Sequence, residues 1–269
     1  MSYFFSQRRL LNHGIVELPR DVTGHVDGPA YEPFLGHAEM RQYRNVLNGV
    51  NGIWCGRTLQ LASEQEAEVG IVLEGQAKVL SIREGFLIAS QEVLQEVREG
   101  NEVLRNQVMT IDFVLTRPPL NRWGPLRYLG LSSKPIDVQR MLREKKRAIR
   151  EETALALLGW QWGYVKRPSR VAVLNHKRLR SWAKPFPIDD AHDDASQLAA
   201  LFYRSTSTKP LRGLLSMFGK RLGIPDKDRF FVCAAAYYFG YLQLDHAFEL
   251  NEDLKVVLKP PALTLQGWR

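Results

Sequence analysis

The chain has 269 residues, of which 45% are hydrophobic and 25% are charged, as in an ordinary globular protein. This composition excludes a disordered tail and a collagen-like fibre, and two cysteines are too few for a disulfide-stabilised scaffold. The formal net charge of +8 at pH 7 indicates an anionic partner.

Cysteine usage and hydropathy predict the compartment. Cys55 and Cys233 lie far apart and form no CxxC pair, which favours a reducing environment. The first residues lack the apolar core of a signal peptide. The longest near-apolar run, residues 230–244, is short for a membrane span. We therefore expect a cytoplasmic protein without membrane contact.

The basic excess is concentrated in one segment. Residues 134–184 carry fourteen basic and four acidic side chains, whereas residues 61–103 carry three basic and nine acidic ones. Such blocks of charge are typical of a surface that binds nucleic acid. The alternative is that the acidic segment neutralises the basic one within the chain.

The first half of the chain suggests an arm, short strands, one long helix and a further strand. Residues 1–38 are irregular, and residues 40–61 fit short strands. Residues 62–107 predict an acidic helix, because adjacent apolar pairs recur every seven residues. This stripe faces either the core or a second copy in a homo-oligomer. A break of this helix at one of its glycines into a two-helix hairpin is the alternative. Residues 108–115 alternate as a half-buried strand does.

The second half predicts mostly helices. A basic helix is expected over residues 133–158, with Val138, Leu142 and Ile149 on its buried face and four arginines on the opposite face. Further helices are expected at 189–204, 211–222 and 226–244, with a linker at 205–210 and a short strand or tail at 250–269.

Together these elements predict a mainly α fold with a few short strands, of the α+β class. It comprises a long amphipathic helix, a basic helix and a C-terminal helical bundle. We expect an N-terminal domain over residues 1–184, which holds the acidic and basic helices, and a C-terminal helical subdomain over residues 185–269.

The candidate nucleic-acid-binding residues are the cations of the basic segment, because arginine offers bidentate hydrogen bonds to phosphate. They are Arg140, Arg143, Arg147, Arg150, Lys166, Arg167, Arg170, Lys177, Arg178 and Arg180. Aromatic residues such as Trp160 and Trp162 lie among them and could stack on exposed bases. Packing in the core is the alternative for these tryptophans.

Two other groups of residues suggest catalysis. Residues 189–194 combine four aspartates with His192, which could bind a divalent cation, but aspartates are also typical of a helix start. His176, among basic residues, is a candidate for a lone catalytic histidine. Neither group matches a known spacing, so we predict no catalytic residue, no metal site, no cofactor and no metal-dependent hydrolysis.

A short element, Trp54-Cys55-Gly56-Arg57, precedes a Glu-rich stretch, and an Asn-plus-basic segment at 175–187 runs into Pro-x-Pro. In these features the chain resembles the AcaB-like proteins of integrative conjugative elements. The resemblance implies sequence-specific DNA binding that controls transfer genes. No functional residue is carried over from it.

The favoured function is therefore nucleic-acid binding by a non-catalytic protein, with DNA ahead of RNA. The alternative is a structural or adaptor subunit of a larger assembly, in which the basic face docks an acidic protein. A nuclease is the third interpretation.

Overall fold

The computed structural model describes residues 21, 23–24, 30–34, 48–53, 57–76, 79–99, 101–104, 107–120, 124–134, 141–184 and 188–260. The chain forms two compact units with a mixed α+β content. The sheet unit comprises Glu17–Gly70 and Val79–Arg167, and the helical unit comprises Met1–Val16, Ile71–Lys78 and Pro168–Arg269. This division assigns residues 168–184 to the helical unit, whereas the sequence suggested a boundary after residue 184.

The sheet unit is built on a four-stranded sheet. Its described elements are β1 (Asn48–Asn51), β2 (Thr58–Leu61), α1 (Glu64–Glu74, whose last four residues belong to the helical unit), β3 (Ser81–Ile88), α2 (Gln91–Arg98), β4 (Met109–Arg117), β5 (Arg127–Ser133), α3 (Leu142–Leu157) and β6 (Gln161–Val165). β1 and β2 pair with each other, and the larger sheet has the order β3-β4-β5-β6. β5 and β6 are parallel, so α3 is the crossover between them.

The single long helix predicted over residues 62–107 is wrong. Two helices, α1 and α2, flank strand β3. The adjacent pairs Val79-Leu80 and Phe86-Leu87 are buried on both members, as expected in and beside a strand that is covered on both faces. Seven-residue spacing of adjacent apolar pairs therefore did not distinguish a helical stripe from a fully buried strand. Strand 108–115 is confirmed as β4.

Helix α3 is shorter than predicted and is rotated about its axis. Ser133 ends β5 instead of starting the helix, which begins at Leu142. Leu142 and Ile149 are 69% and 62% exposed, so the prediction that they are buried is wrong. Val138 lies outside the described residues.

Buried polar contacts explain this rotation. Glu151 is 1% exposed and accepts hydrogen bonds from Ser132 Oγ and from Trp162 Nε1, the latter at 3.0 Å. One turn later, Leu155 packs so closely on β5 that a Cβ at Gly130 would overlap its side chain. Positions 151 and 155 of the helix thus face positions 132 and 130 of the strand. The face that meets the sheet contains a carboxylate, which hydropathy alone does not predict.

The helical unit contains four described helices: α4 (Arg170–Trp182), α5 (His192–Arg204), α6 (Leu211–Leu222) and α7 (Arg229–Tyr238). α6 has the predicted bounds, and α5 with its preceding 3-10 turn covers the predicted 189–204. α7 ends earlier than predicted, before Gly240 with its positive φ of 76°. Nearly all of α7 is buried, which makes it the centre of this unit. No helix in the described ranges is long and apolar enough to cross a membrane.

A chain of polar contacts links α4, α7 and the segment after α7. Asn175 Oδ1 accepts the Leu250 N–H at 2.7 Å, which directs its amide nitrogen towards His246 Nδ1 at 3.4 Å. His246 Nδ1 is therefore the acceptor, and its Nε2–H donates to Tyr237 Oη at 3.0 Å. Tyr237 in turn donates to His176 Nε2 at 3.3 Å. Both imidazoles are neutral in this arrangement.

Burial, followed by the nearby His246 and Arg180, lowers the pKa of His176 from 6.5 to about 3. Burial and then Lys259 lower the pKa of His246 to about 4, against a smaller opposite effect of Asp245. The unfolded chain therefore binds more protons than the folded chain between these pKa values and about pH 6.5.

Above pH 6.5 we expect the two histidines to leave the free energy of unfolding unchanged. Between pH 6.5 and 4 we expect them to lower it as the pH falls. The slope is about 1.4 kcal/mol per pH unit for each histidine. Urea unfolding at several pH values measures it. His246→Gln removes one titrating ring and should halve the part of the slope due to histidines; an unchanged slope in this variant contradicts the assignment.

Glu151 offers a second test of the fold. Glu151→Gln leaves Arg147 without its buried counter-charge, and we expect a loss of about 2–4 kcal/mol in the free energy of unfolding. The exposed neighbour Glu152 is the matched control, since Glu152→Gln should change stability by less than about 0.5 kcal/mol. Equal stability of the two variants in urea would show that Glu151 does not fix α3 to the sheet.

Candidate functional site

The structure separates the ten predicted binding residues into three groups. Arg140 lies outside the described residues. Five of the others are exposed and have no charged or hydrogen-bonded partner among the described residues: Arg143, Arg150, Lys166, Arg170 and Lys177. The first three belong to the sheet unit, and the last two lie on α4 in the helical unit.

The remaining four cations are engaged within their own units. Arg147 binds Glu151, Arg167 binds Glu68, Arg178 binds the Leu250 carbonyl and Glu249, and Arg180 binds Glu74. Glu74 and Glu151 are each 1% exposed, and buried carboxylates require a counter-charge. Each of these four side chains already has a partner within the chain, and their binding to nucleic acid stays a prediction.

The tryptophans of the basic segment pack inside the protein. Trp160 is 6% exposed and stands 5.6 Å from the ring of Phe86 and 4.6 Å from that of Tyr128. Trp162 donates its indole N–H to Glu151. Trp160 therefore serves the core, as the alternative interpretation expects, and Trp162 is half-buried with its indole N–H already paired.

The two groups that suggested catalysis have structural partners. His192 is 2% exposed, contacts Tyr241 Oη at 2.7 Å through Nε2 and contacts Asp193 through Nδ1. His176 is fully buried. In the part of the chain that the structure describes, no three or more His, Cys, Asp or Glu residues are grouped to hold a metal ion.

A different set of side chains meets at one edge of the sheet. β4 and β5 are antiparallel, with Phe113 opposite Leu131, so the start of β4 lies beside the end of β5. There Asp112 Oδ2 accepts the Ser133 N–H at 2.7 Å and the Lys134 ammonium at 3.2 Å. Asp112 Oδ1 accepts no hydrogen bond from the described residues. One carboxylate oxygen is thus fixed and the other is available.

The first turn of α1 brings a second carboxylate to this edge. Gln65 Nε2 donates to Ser133 Oγ at 3.0 Å, which ties the start of the helix to the end of β5. Glu66 forms a capping box with Ser63, whose Oγ accepts the Glu66 N–H at 3.1 Å, while Glu66 Oε2 accepts the Ala62 N–H at 2.9 Å. Glu66 Oε1 also accepts the Ser63 hydroxyl at 3.1 Å, so both oxygens of the Glu66 carboxylate are engaged in the cap and its position is fixed.

Glu66, Asp112 and Lys134 interact electrostatically. Burial, followed by the charge of Asp112, raises the pKa of the Glu66 carboxyl, and Lys134 is among the smaller opposing influences. The side chains of Asp112 and Lys134 are 13% and 22% exposed, so they are largely desolvated but still open to solvent. Two neighbouring carboxylates can hold a divalent cation, and the ammonium beside them can stabilise an anion.

A groove of about 770 Å³ opens beside α3, between this helix, the end of β3 and the start of β4. Arg143, Arg147 and Arg150 line it from α3, and Thr110 lines it from β4. Arg147 Nη2 donates to the Thr110 carbonyl at 3.2 Å. Burial lowers the pKa of Arg147, but Glu151 and then Asp112 and Glu144 outweigh it and raise the pKa overall. The basic groove therefore begins next to Asp112.

Sequence reasoning missed Glu66, Asp112 and Lys134 because each has an ordinary local explanation. Glu66 belongs to a polar helix start, Asp112 is a polar position of an alternating strand, and Lys134 is one charge in a basic segment. The signal that could have found them is an aspartate in one strand followed by a lysine just after the next strand. That pattern becomes informative only once the strands are known to be antiparallel neighbours.

No protein-family model matches the chain, and no curated protein matches it in sequence. The resemblance to the AcaB-like proteins therefore stays a prediction.

Proposed function

We propose that the protein is a metal-dependent nuclease whose site is formed by Glu66, Asp112 and Lys134. The observation that carries this proposal is the Asp112 carboxylate, which has one oxygen held by Lys134 and the Ser133 amide and the other oxygen free. A second carboxylate, Glu66, is close enough to interact with it. This set differs from the arginine face that the sequence favoured. It supports the third interpretation and replaces the sequence-based prediction of no metal site and no metal-dependent hydrolysis.

Two carboxylates are enough for such a site. Mg²⁺ is commonly bound through one or two carboxylates and completes its shell with water and substrate phosphate oxygens. The lack of a third acidic or histidine ligand among the described residues is therefore compatible with magnesium. When bound, the cation supplies a water of lowered pKa and neutralises charge on the phosphate.

The proposed reaction is hydrolysis of a phosphodiester. The oxygen of water bonds to phosphorus, the ester P–O bond breaks, and one proton of the water ends on the departing hydroxyl. Asp112 would hold the cation through Oδ1, and Glu66 would hold it through the lone pairs that its cap hydrogen bonds leave open. The Lys134 ammonium lies beside Asp112, where it can contact the phosphate oxygens as negative charge grows on them.

The overall charge supports nucleic acid as the substrate. The net charge is +8, and several of the exposed cations have no acidic partner among the described residues. Such cations attract a polyanion over long distances. A buried, fully paired set of arginines would give no such attraction. DNA remains the first substrate to test, ahead of RNA.

A protein-docking adaptor is the second candidate. Three apolar side chains of α3 are between 62% and 84% exposed: Leu142, Ile149 and Leu157. Apolar side chains form no hydrogen bond or ion pair with phosphate, so nucleic-acid binding does not explain their exposure. An apolar row beside Lys146 and Arg150 fits the face of an acidic amphipathic partner. Arg150 and Leu157 also line the groove beside α3, so a partner protein bound to this row would compete with nucleic acid for that groove.

We expect the purified protein to cleave end-labelled duplex DNA or single-stranded RNA in Mg²⁺ or Mn²⁺ and to leave it intact in EDTA. Asp112→Asn and Glu66→Gln should each lower the rate by at least about 100-fold, because metal affinity and charge stabilisation are lost together. Glutamine still serves in a capping box, so Glu66→Gln tests the charge separately from the cap.

Glu64→Gln is the matched control, since Glu64 is exposed in the same helical turn. It should cleave at the wild-type rate. If the wild type cleaves neither substrate in either metal, the proposal is wrong. Cleavage that survives Asp112→Asn unchanged would also contradict it and would indicate a contaminating nuclease.

Metal binding has a second readout that needs no substrate. Mg²⁺ binds the folded site and not the unfolded chain, so it should stabilise the protein by about 1.4 kcal/mol at ten times its Kd. The measurement is urea unfolding with increasing Mg²⁺. The stabilisation should vanish in Asp112→Asn and persist in Glu64→Gln; equal stabilisation of both variants would place the cation elsewhere.

A further inference from the structure

We infer that the groove beside α3 holds the phosphate backbone of the nucleic acid next to the cleaved bond, through Arg143 and Arg150. This inference rests on the proposed nuclease function and names the surface that binds its substrate. The groove is lined by both arginines, opens to solvent and adjoins Asp112 by way of Thr110 and Arg147.

The two arginines are placed to act together. Seven residues of an α-helix bring them to within about 20° of the same direction and about 10.5 Å apart along the axis. A nucleic-acid strand carries one phosphate at every nucleotide, so a strand that passes along this face meets both side chains. Arg143 and Arg150 can therefore contact different phosphates of one strand.

Arg143 and Arg150 differ from Arg147 in the contacts that their guanidinium groups make. Both are exposed and have no partner among the described residues. Arg147, between them along the helix, is held by Glu151 at 2.6 Å and by the Thr110 carbonyl. Arg147 therefore forms a fixed part of the groove wall, and the two exposed cations on either side of it are available to phosphate.

The groove lies close to Asp112, where the scissile phosphate of the proposed substrate would be. Thr110 lines it, and Asp112 follows two residues later on the same strand, about 7 Å away. A strand whose scissile phosphate lies at Asp112 and Lys134 therefore reaches the groove within a few nucleotides. Contacts of this kind fix position without reading bases, so the groove should bind all sequences about equally.

The test measures binding apart from cleavage. Fluorescence anisotropy follows a labelled 20-base-pair duplex, and separately a single-stranded RNA, bound to protein carrying Asp112→Asn in EDTA at several KCl concentrations. The variants add Arg143→Gln and Arg150→Gln together, or Lys145→Gln alone. Lys145 is the matched control because it is exposed on α3 but points about 160° away from Arg143.

We expect the double arginine variant to bind about 100-fold more weakly, about tenfold for each lost contact, with a salt slope lower by about 2. The control should bind within about twofold of the parent protein. Arginine and glutamine have similar helix propensities, so circular dichroism should show an unchanged fold.

Unchanged affinity and slope in a folded double variant would overturn the inference, as would failure of the parent protein to bind either nucleic acid. An equal loss in Lys145→Gln would also overturn it, because the effect would then come from net charge alone. Failure of the proposed function has a different signature. In that case arginine-dependent binding persists, but the wild type cleaves neither substrate in Mg²⁺ or Mn²⁺.

Discussion

The buried carboxylate of Glu151 is the contact on which the orientation of α3 and its groove depends. It joins α3 to Ser132 of β5 and to Trp162 of β6, so it fixes the rotation of the crossover helix on the sheet. A desolvated carboxylate is stable only with such partners, and Arg147 supplies the counter-charge. Because α3 packs on the sheet through the face that contains Glu151, Arg143 and Arg150 line the groove and Ile149 is exposed to solvent.

The end of strand β5 holds both helix α3 and the candidate site in position. Ser132 binds Glu151, while the next residue, Ser133, donates its amide to Asp112 and accepts the Gln65 side chain through Oγ. The end of β5 therefore aligns α1, β4 and α3 around Lys134. Hydrogen bonds from two adjacent residues of one strand therefore support both α3 and the candidate site.

Much of the basic charge is used inside the protein. Arg57 binds Glu84 in the sheet unit, and Arg180 binds Glu74 in the helical unit, with both carboxylates 1% exposed. The charge excess in the sequence thus overstates the surface available to a ligand. What remains exposed is a smaller set, of which two arginines share one groove with each other and with the neighbourhood of Asp112.

The sequence by itself determined strand β4 and the helix 211–222, because these depend on local periodicity, and the partner class that the charge suggests stays a prediction. It did not determine β3, since a strand buried on both faces has the same adjacent apolar pairs as a helical stripe. Only the tertiary structure decided which face of α3 is buried, because a carboxylate is tolerated there solely through its partners on β5 and β6. The tertiary structure also decided the candidate site, because Glu66, Asp112 and Lys134 are far apart in sequence. Antiparallel pairing of β4 with β5, together with the contact of α1 with the end of β5, brings them to one edge of the sheet.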